Sequence, residues 1–251
     1  MDLNLKEKRV LVTGGTRGIG AAIVDGLLAE GATVSFCARN EKEVDARVST
    51  LVAEGHAVSG AACDVSDATA YAQWIEASIA NMGGLDVFVP NVSGGAAPGE
   101  EGWKRAFDVD MMATVRGCEA VLPHLASTGG NIVIIASIAG LEAIGGPSPY
   151  NTMKAGLIAY ASQLGDVAIQ HGVRVNSVSP GPIHVEDGFW GEVQRTQPDM
   201  YQGVSARHGA GRLGTVVEVA NCAVFLASDA ASWVVRTNLV VDGGFCKRVQ
   251  Y

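Results

Sequence analysis

Short runs of β-branched and aliphatic residues alternate along this chain with longer stretches in which apolar positions recur every three or four residues. "RVLVT" (9–13), "ATVSFCA" (32–38), "AVSGAAC" (57–63), "LDVFV" (85–89), "NIVIIAS" (131–137), "VRVNSVS" (173–179) and "TNLVVD" (237–242) have the length and residue types of strands. Most are apolar throughout rather than at alternate positions, which marks strands covered on both faces and hence a parallel sheet. Helices are predicted between them, near 18–30, 41–54, 67–82, 103–126, 150–171 and 216–228. Strand–helix alternation with right-handed crossovers predicts one α/β domain over residues 1–251: a Rossmann-like, doubly wound parallel sheet of about seven strands with helices on both faces. The stretch 182–212 breaks the pattern. It mixes polar and aromatic residues without a period and is expected to be an irregular lid or substrate loop at the C-terminal edge of a strand.

Composition narrows the class. Of 251 residues 48% are hydrophobic and 18% charged, enough to bury a large core, and 32 glycines supply tight turns. The net charge of −8 argues against a nucleic-acid or anionic-membrane partner, both of which need clustered Lys and Arg. Five cysteines (Cys37, Cys63, Cys118, Cys222, Cys246) form no CxxC and are odd in number, which fits reduced thiols in a cytoplasmic protein. The start, "MDLNLKEKRV", is too polar for a signal peptide, and the longest apolar run, "IVIIASIAGL" (132–141), is too short to span a bilayer. The five histidines share no metal-ligand spacing with carboxylates or cysteines, so no metal is expected.

Chemistry enters at "VTGGTRGIG" (12–20), where a strand gives way to a helix. Gly14, Gly18 and Gly20 permit a tight turn, close backbone approach and close helix packing, and the helix start offers free N–H groups to a pyrophosphate. The second strand ends "SFCARN", with Ala38 then Arg39 where an NAD site usually carries an acid. Arg17 and Arg39 suit a 2′-phosphate with no nearby carboxylate to repel it, which favours NADP(H) over NAD(H). Tyr150 and Lys154 lie one helical turn apart, a spacing also common on solvated helices.

"TGGTRGIG", a serine thirteen residues before a tyrosine, and Tyr-x-x-x-Lys, in that order, resemble the short-chain dehydrogenase/reductase family over essentially the whole chain. The resemblance implies cofactor contacts from Gly14, Thr16, Arg17, Gly18, Ile19, Gly20 and Arg39. It adds Asp64 and Val65 at the adenine, Asn91 beside the strand, and Pro180, Gly181 and Ile183 on the nicotinamide side, with "VDGG" (241–244) as the terminal strand signature. By the same resemblance Tyr150 is the general acid/base, Lys154 supplies a cation and holds the nicotinamide ribose, and Ser137 holds the substrate oxygen. A free phenol keeps its proton up to a pH near ~10. An ammonium about 4 Å away at an effective dielectric of about 20 favours the phenolate by roughly 4 kcal/mol, which is why the pair suits proton transfer.

Three positions depart from the family pattern. "PNVSGG" (90–95) has Pro90 and Ser93 in place of Asn and Gly, and Pro90 cannot donate to a strand ladder. Asp110 stands where the family has an asparagine that supports a water chain to the lysine. Aspartate can accept from that water and stabilise the ammonium, but cannot donate. Val185 replaces a cofactor-contacting threonine; His184 and Glu186 beside it could reach substrate or solvent, though a plain loop histidine is the favoured reading of His184. Phe189, Trp190, Met200 and Tyr201 could form an apolar lid, or equally pack in the core or at a subunit contact.

The implied activity is NADP(H)-dependent interconversion of a carbonyl and an alcohol, on a 3-oxoacyl thioester or another ketone with an apolar part. Arg207 and Arg212 are a candidate basic pair for an acyl-carrier partner. The alternative is a non-catalytic NADP-binding sensor or assembly protein. The partner expected is a small-molecule substrate, and the resemblance implies a homo-oligomer, dimer or tetramer, assembled through 103–126 and 150–171.

Overall fold

In the computed structural model, which describes every residue except Met1, Arg248, Gln250 and Tyr251, the apolar runs form seven parallel strands. They are β1 (Arg9–Thr13), β2 (Thr33–Ala38), β3 (Val58–Ala62), β4 (Val87–Val89), β5 (Asn131–Ile135), β6 (Arg174–Pro180) and β7 (Asn238–Val241), in the order β3-β2-β1-β4-β5-β6-β7. Continuous hydrophobicity has the expected cause. In β1, Val10 and Val12 face one layer of helices while Leu11 faces the other, and Val133 and Ile135 oppose Ile132 and Ile134 in β5 in the same way. One layer holds α1 (Gly18–Ala29), α2 (Glu41–Ala53) and α9 (Val216–Ala227), with Ile23, Leu27, Val44, Val219 and Val224 against the sheet. The other holds α3 (Ala68–Met82), α5 (Ala113–Thr128) and α6 (Pro149–Ala168), through Tyr71, Ile75, Val121, Leu125 and Leu157.

Strand order reverses between β1 and β4, so their C-terminal ends splay apart and open a crevice. The opposite ends of the strands are pinned by polar side chains. Arg9 makes a forked contact with Asp86, Nε to Oδ2 at 2.7 Å and Nη2 to Oδ1 at 3.1 Å. Arg174 and Asn131 donate to the carbonyls of Leu226, Ala227 and Ser228, satisfying the open C-terminal end of α9.

Three expectations need correction. The single helix predicted over 103–126 begins earlier, as α4 (Gly99–Ala106), passes through a π-helical turn (Phe107–Met112) and continues as α5. The stretch 182–212 is not irregular throughout. It contains α7 (Phe189–Thr196) and α8 (Pro198–Arg207), short helices of which only Gly191 and Val193 are buried, while Phe189 and Met200 are exposed. Arg207 and Arg212 do not form a joint basic patch: Arg207 lies over the Phe245 ring at 4.1 Å, and Arg212 forks onto Glu218 at 2.9 and 2.6 Å. Among the described residues, no helix is long and apolar enough to cross a membrane.

Candidate active site

The glycine turn is built on the end of β2. The amides of Gly14 and Gly15 donate to the Cys37 carbonyl at 2.8 and 3.2 Å, and Gly14 and Gly18 adopt φ of 74° and 59°, conformations costly for any side chain. Gly20 faces the carbonyl of Gly14 and the amide of Asn91, so a Cβ there would strike both. Asn91 holds this packing together: its Nδ2 donates to the Thr13 and Gly14 carbonyls at 3.0 and 3.3 Å, and its N–H to Thr13 Oγ1 at 2.9 Å. α1 starts with no side-chain cap and no acid in its first turn, leaving its N–H groups and positive end for an anion. Ile19 packs on the core below.

The turn forms one wall of a cleft of about 780 Å³ whose lining includes Gly14, Arg17, Arg39, Asp64, Val65 and Asn91. Among the described residues, neither Arg17 nor Arg39 forms an ion pair. Hydrogen bonds from the Ser66 amide and hydroxyl hold the Asp64 carboxyl below the usual range, with smaller help from the charges of Arg39 and Arg105. The absence of a nearby carboxylate, expected from the local sequence, is corrected. Glu43 of α2 lines the same cleft, one oxygen accepting from Asn40 Nδ2 at 2.8 Å and the other 3.5 Å from Thr16 Oγ1. It stands in the first turn of α2 and lines the same cleft as the two arginines. A dinucleotide phosphate fits this wall: two uncommitted guanidiniums, an uncapped helix start and a backbone cradle.

Ser137, Tyr150, Lys154 and Asp110 come from three pieces of chain, Tyr150 and Lys154 sharing α6. Ser137 follows β5 and is 7% exposed; its Oγ accepts from Ala139 N–H at 3.1 Å, capping a 3₁₀ turn (Ile138–Gly140) and leaving the hydroxyl proton free. That turn lies directly on α6 because Gly140 has no Cβ. One placed there would stand 2.5 Å from the Ala155 nitrogen. Tyr150 is in the first turn of α6, just after Pro149, whose fixed φ and missing donor suit a helix start. One turn later Lys154 is buried, with Nζ 5.6 Å from the centre of the Tyr150 ring.

The ammonium is held by two oxygens from other parts of the chain. Nζ donates to the Ile135 carbonyl at 3.1 Å and stands 3.1 Å from Asp110 Oδ1, with both side chains almost wholly buried. The other Asp110 oxygen accepts from the Gly94 amide at 2.7 Å. Asp110 therefore meets Lys154 directly, on the π-helical turn. Sequence reasoning missed Gly94, Gly140 and the Ile135 carbonyl, because backbone groups and absent side chains leave no chemical signature in the sequence.

The remaining expected contacts sit around the mouth. Gly181 N–H donates to the Val241 carbonyl at 2.9 Å, pinning Pro180–Gly181 to β7, and Ile183 bridges to Gly214. Val185 reaches the glycine turn at Gly18. His184 lies 3.1 Å from the Tyr201 hydroxyl and 3.4 Å from Glu186, while Trp190 packs edge-on against Phe189 and Tyr201. Val87–Val89 is the shortest strand; beyond it, Pro90 accepts through its carbonyl from Ile135 N–H instead of donating.

The family model described as Enoyl-(Acyl carrier protein) reductase matches residues 14–246. The isoepoxydon dehydrogenase of Penicillium expansum is 38% identical, over 98% of each chain. The human dehydrogenase/reductase SDR family member 4 is 32% identical over 98% of this chain and 90% of its own. Among solved structures, L-sorbose reductase from Gluconobacter frateurii, complexed with NADPH and L-sorbose, superposes with a TM-score of 0.92 at 29% identity, covering 99% and 100% of the two chains. A gluconate 5-dehydrogenase from Burkholderia cenocepacia, in complex with NADP and tartrate, gives 0.91 at 27% identity over 99% and 98%. With matches along nearly its full length and a parallel sheet of the same architecture, the chain belongs to the short-chain dehydrogenase/reductase family of oxidoreductases.

Proposed function

We propose that the protein interconverts a ketone and a secondary alcohol with NADP(H), using Tyr150 as the proton-transfer group. The observation that carries this is the buried Lys154 ammonium, held by Asp110 and the Ile135 carbonyl beneath the Tyr150 ring. NADPH, when bound, supplies a hydride to the carbonyl carbon, and NADP⁺ takes one from the alcohol. Ser137 donates its free hydroxyl proton in a hydrogen bond to the substrate oxygen, orienting and polarising it. Tyr150 gives its proton to that oxygen in reduction and receives one in oxidation. Lys154 stabilises the phenolate left behind and keeps a third N–H for the ribose of the cofactor. Asp110 stops the ammonium from swinging out of place.

Arg17 and Arg39, which line the cleft and form no ion pair among the described residues, support NADP(H) over NAD(H), and bound NADPH or NADP in two related structures agrees. Glu43 weakens but does not reverse this preference, since one of its oxygens is committed to Asn40. The related names point toward hydroxylated ketones, and the polar pair His184 and Glu186 beside the aromatic lid fits a substrate with both polar and apolar parts. The test is cofactor absorbance with a panel of linear and cyclic ketones. Turnover by the parent protein, none by Tyr150→Phe and unchanged NADPH affinity in that variant support the reading. Equal turnover in Tyr150→Phe overturns it.

A further inference from the structure

The phosphate wall of the cleft holds a carboxylate that is fastened to the backbone fold rather than to the neighbouring arginines. Glu43 stands in the first turn of α2, whose N-cap Asn40 accepts from the amides of Lys42 and Glu43 at 3.1 and 3.4 Å. Asn40 also donates, from Nδ2 to Glu43 Oε1 at 2.8 Å. That reciprocal contact fixes the direction of the side chain. The second oxygen, Oε2, accepts from Thr16 Oγ1 of the glycine turn at 3.5 Å, the outer limit of a hydrogen bond. Thr16, Arg17, Arg39, Asn40 and Glu43 all line the cleft. Among the described residues, no ion pair joins Glu43 to either guanidinium. The wall therefore offers two kinds of partner side by side: guanidiniums that donate to an anion, and a carboxylate oxygen that accepts from a hydroxyl. A 2′-phosphate suits the first and is repelled by the second, whereas a ribose hydroxyl suits the second.

We propose that Glu43 sets the balance between the two nicotinamide dinucleotides: it accepts from the ribose 2′-hydroxyl of NAD(H) and opposes the 2′-phosphate of NADP(H). The protein then takes both, NADP(H) the more tightly, because two guanidiniums outweigh one exposed carboxylate. An NAD site usually carries its acid at the end of the second strand. Here Ala38 and Arg39 occupy that place, and the acid comes instead from the helix that follows. The proposal deepens the cofactor assignment above and rests on it. Glutamine at position 43 keeps the length of the side chain and an acceptor for Asn40, so Glu43→Gln removes the charge and leaves the start of α2 capped.

The experiment is calorimetric titration of the full chain with NADP⁺ and, separately, with NAD⁺. The parent is expected to bind both. Glu43→Gln tightens NADP⁺ about fivefold, the upper range for a pair of exposed charges. Glu43→Ala, which also loses the acceptor, weakens NAD⁺ about tenfold, the lower end for a hydrogen bond to a charged group. Glu41→Gln removes the same charge from the same helical turn but outside the lining of the cleft, and leaves both affinities as in the parent. The NADP⁺ gain in Glu43→Gln shrinks at high salt, as screening of a charge effect requires. The inference fails if the ratio of the two affinities is the same in Glu43→Gln as in the parent, if Glu41→Gln shifts it equally, or if the gain persists undiminished at high salt. It also fails if the parent binds NADP⁺ but no NAD⁺. A parent that binds NAD⁺ the more tightly overturns the NADP(H) preference alone, and the direction of the two Glu43 shifts still decides the role of that residue. A parent that binds neither overturns the cofactor assignment and the inference with it.

Discussion

Asp110→Asn is the most informative single change, because it tests why an aspartate stands on the π-helical turn. A donor and a cation meet this carboxylate, the Gly94 amide at 2.7 Å on one oxygen and the Lys154 ammonium at 3.1 Å from the other. Asparagine keeps the size but has one accepting oxygen and no charge, so either the Gly94 amide or the Lys154 cation must face an NH₂ group. At 3.1 Å and an effective dielectric of about 20, the attraction between the charges is roughly 5 kcal/mol before desolvation is subtracted. Removing one partner of a buried pair costs about 3–5 kcal/mol, and the acceptor that asparagine retains places this case near the lower end, about 3 kcal/mol. For a domain of this size that lowers the melting temperature by about 6–12 °C, followed by circular dichroism. Adding Lys154→Met removes the stranded cation, so the double variant melts above Asp110→Asn alone, although it is inactive. The reasoning is refuted if Asp110→Asn melts with the parent, or if the double variant melts no higher than the single one.

Replacing Arg39 with aspartate should swing preference from NADPH toward NADH by about tenfold to a hundredfold in relative Kd, the worth of one hydrogen bond to a charged group, as read by fluorescence titration. An unchanged ratio would remove Arg39 from the phosphate site. Gly20→Ala forces a methyl into the Gly14 carbonyl and the Asn91 amide; both NADPH affinity and melting temperature should fall, and a variant indistinguishable from the parent would show the turn to be looser than described. At the start of α9, the forked bond from Arg212, then the Thr215 amide, holds the Glu218 carboxyl down at about 2. A lowered value stabilises the fold fully above the ordinary carboxylate range and is lost as pH falls through that range toward 2. Glu218→Gln should therefore melt slightly below the parent at pH 7, with the gap closing in acid. A gap that widens in acid contradicts the assignment.

The strands were legible because sheet burial on two faces demands uninterrupted apolar runs, and each observed strand starts within one residue of the predicted start, except Val87–Val89, which starts two residues late and ends where expected, just before Pro90. The glycine turn was legible because only glycine serves where the backbone takes a positive φ or another chain segment touches it. What failed was information that depends on three-dimensional neighbours. Glu43 looked remote from the phosphate wall until α2 folded it back. Arg207 and Arg212 looked like a pair until Phe245 and Glu218 engaged them. Helices α7 and α8 escaped notice because eight to ten residues hold too few turns to show a period. In the site itself the residue types were readable, but the direct meeting of Asp110 with Lys154 was not: the two are far apart in the chain, and the meeting depends on how the helix is wound between α4 and α5.

That winding has a consequence for the length of the chain. A π-helical turn accommodates an extra residue within a helix, and here the slack falls between Phe107 and Met112. Excising a single residue from this window would let the segment close into a regular helix, and every side chain on one side of the cut would rotate by about 100° relative to the other. Asp110 would leave the ammonium and swing toward α5's outer surface, or else the exposed faces of Trp103 and Phe107 would turn inward. Along this stretch the number of residues is under the same constraint as their identity.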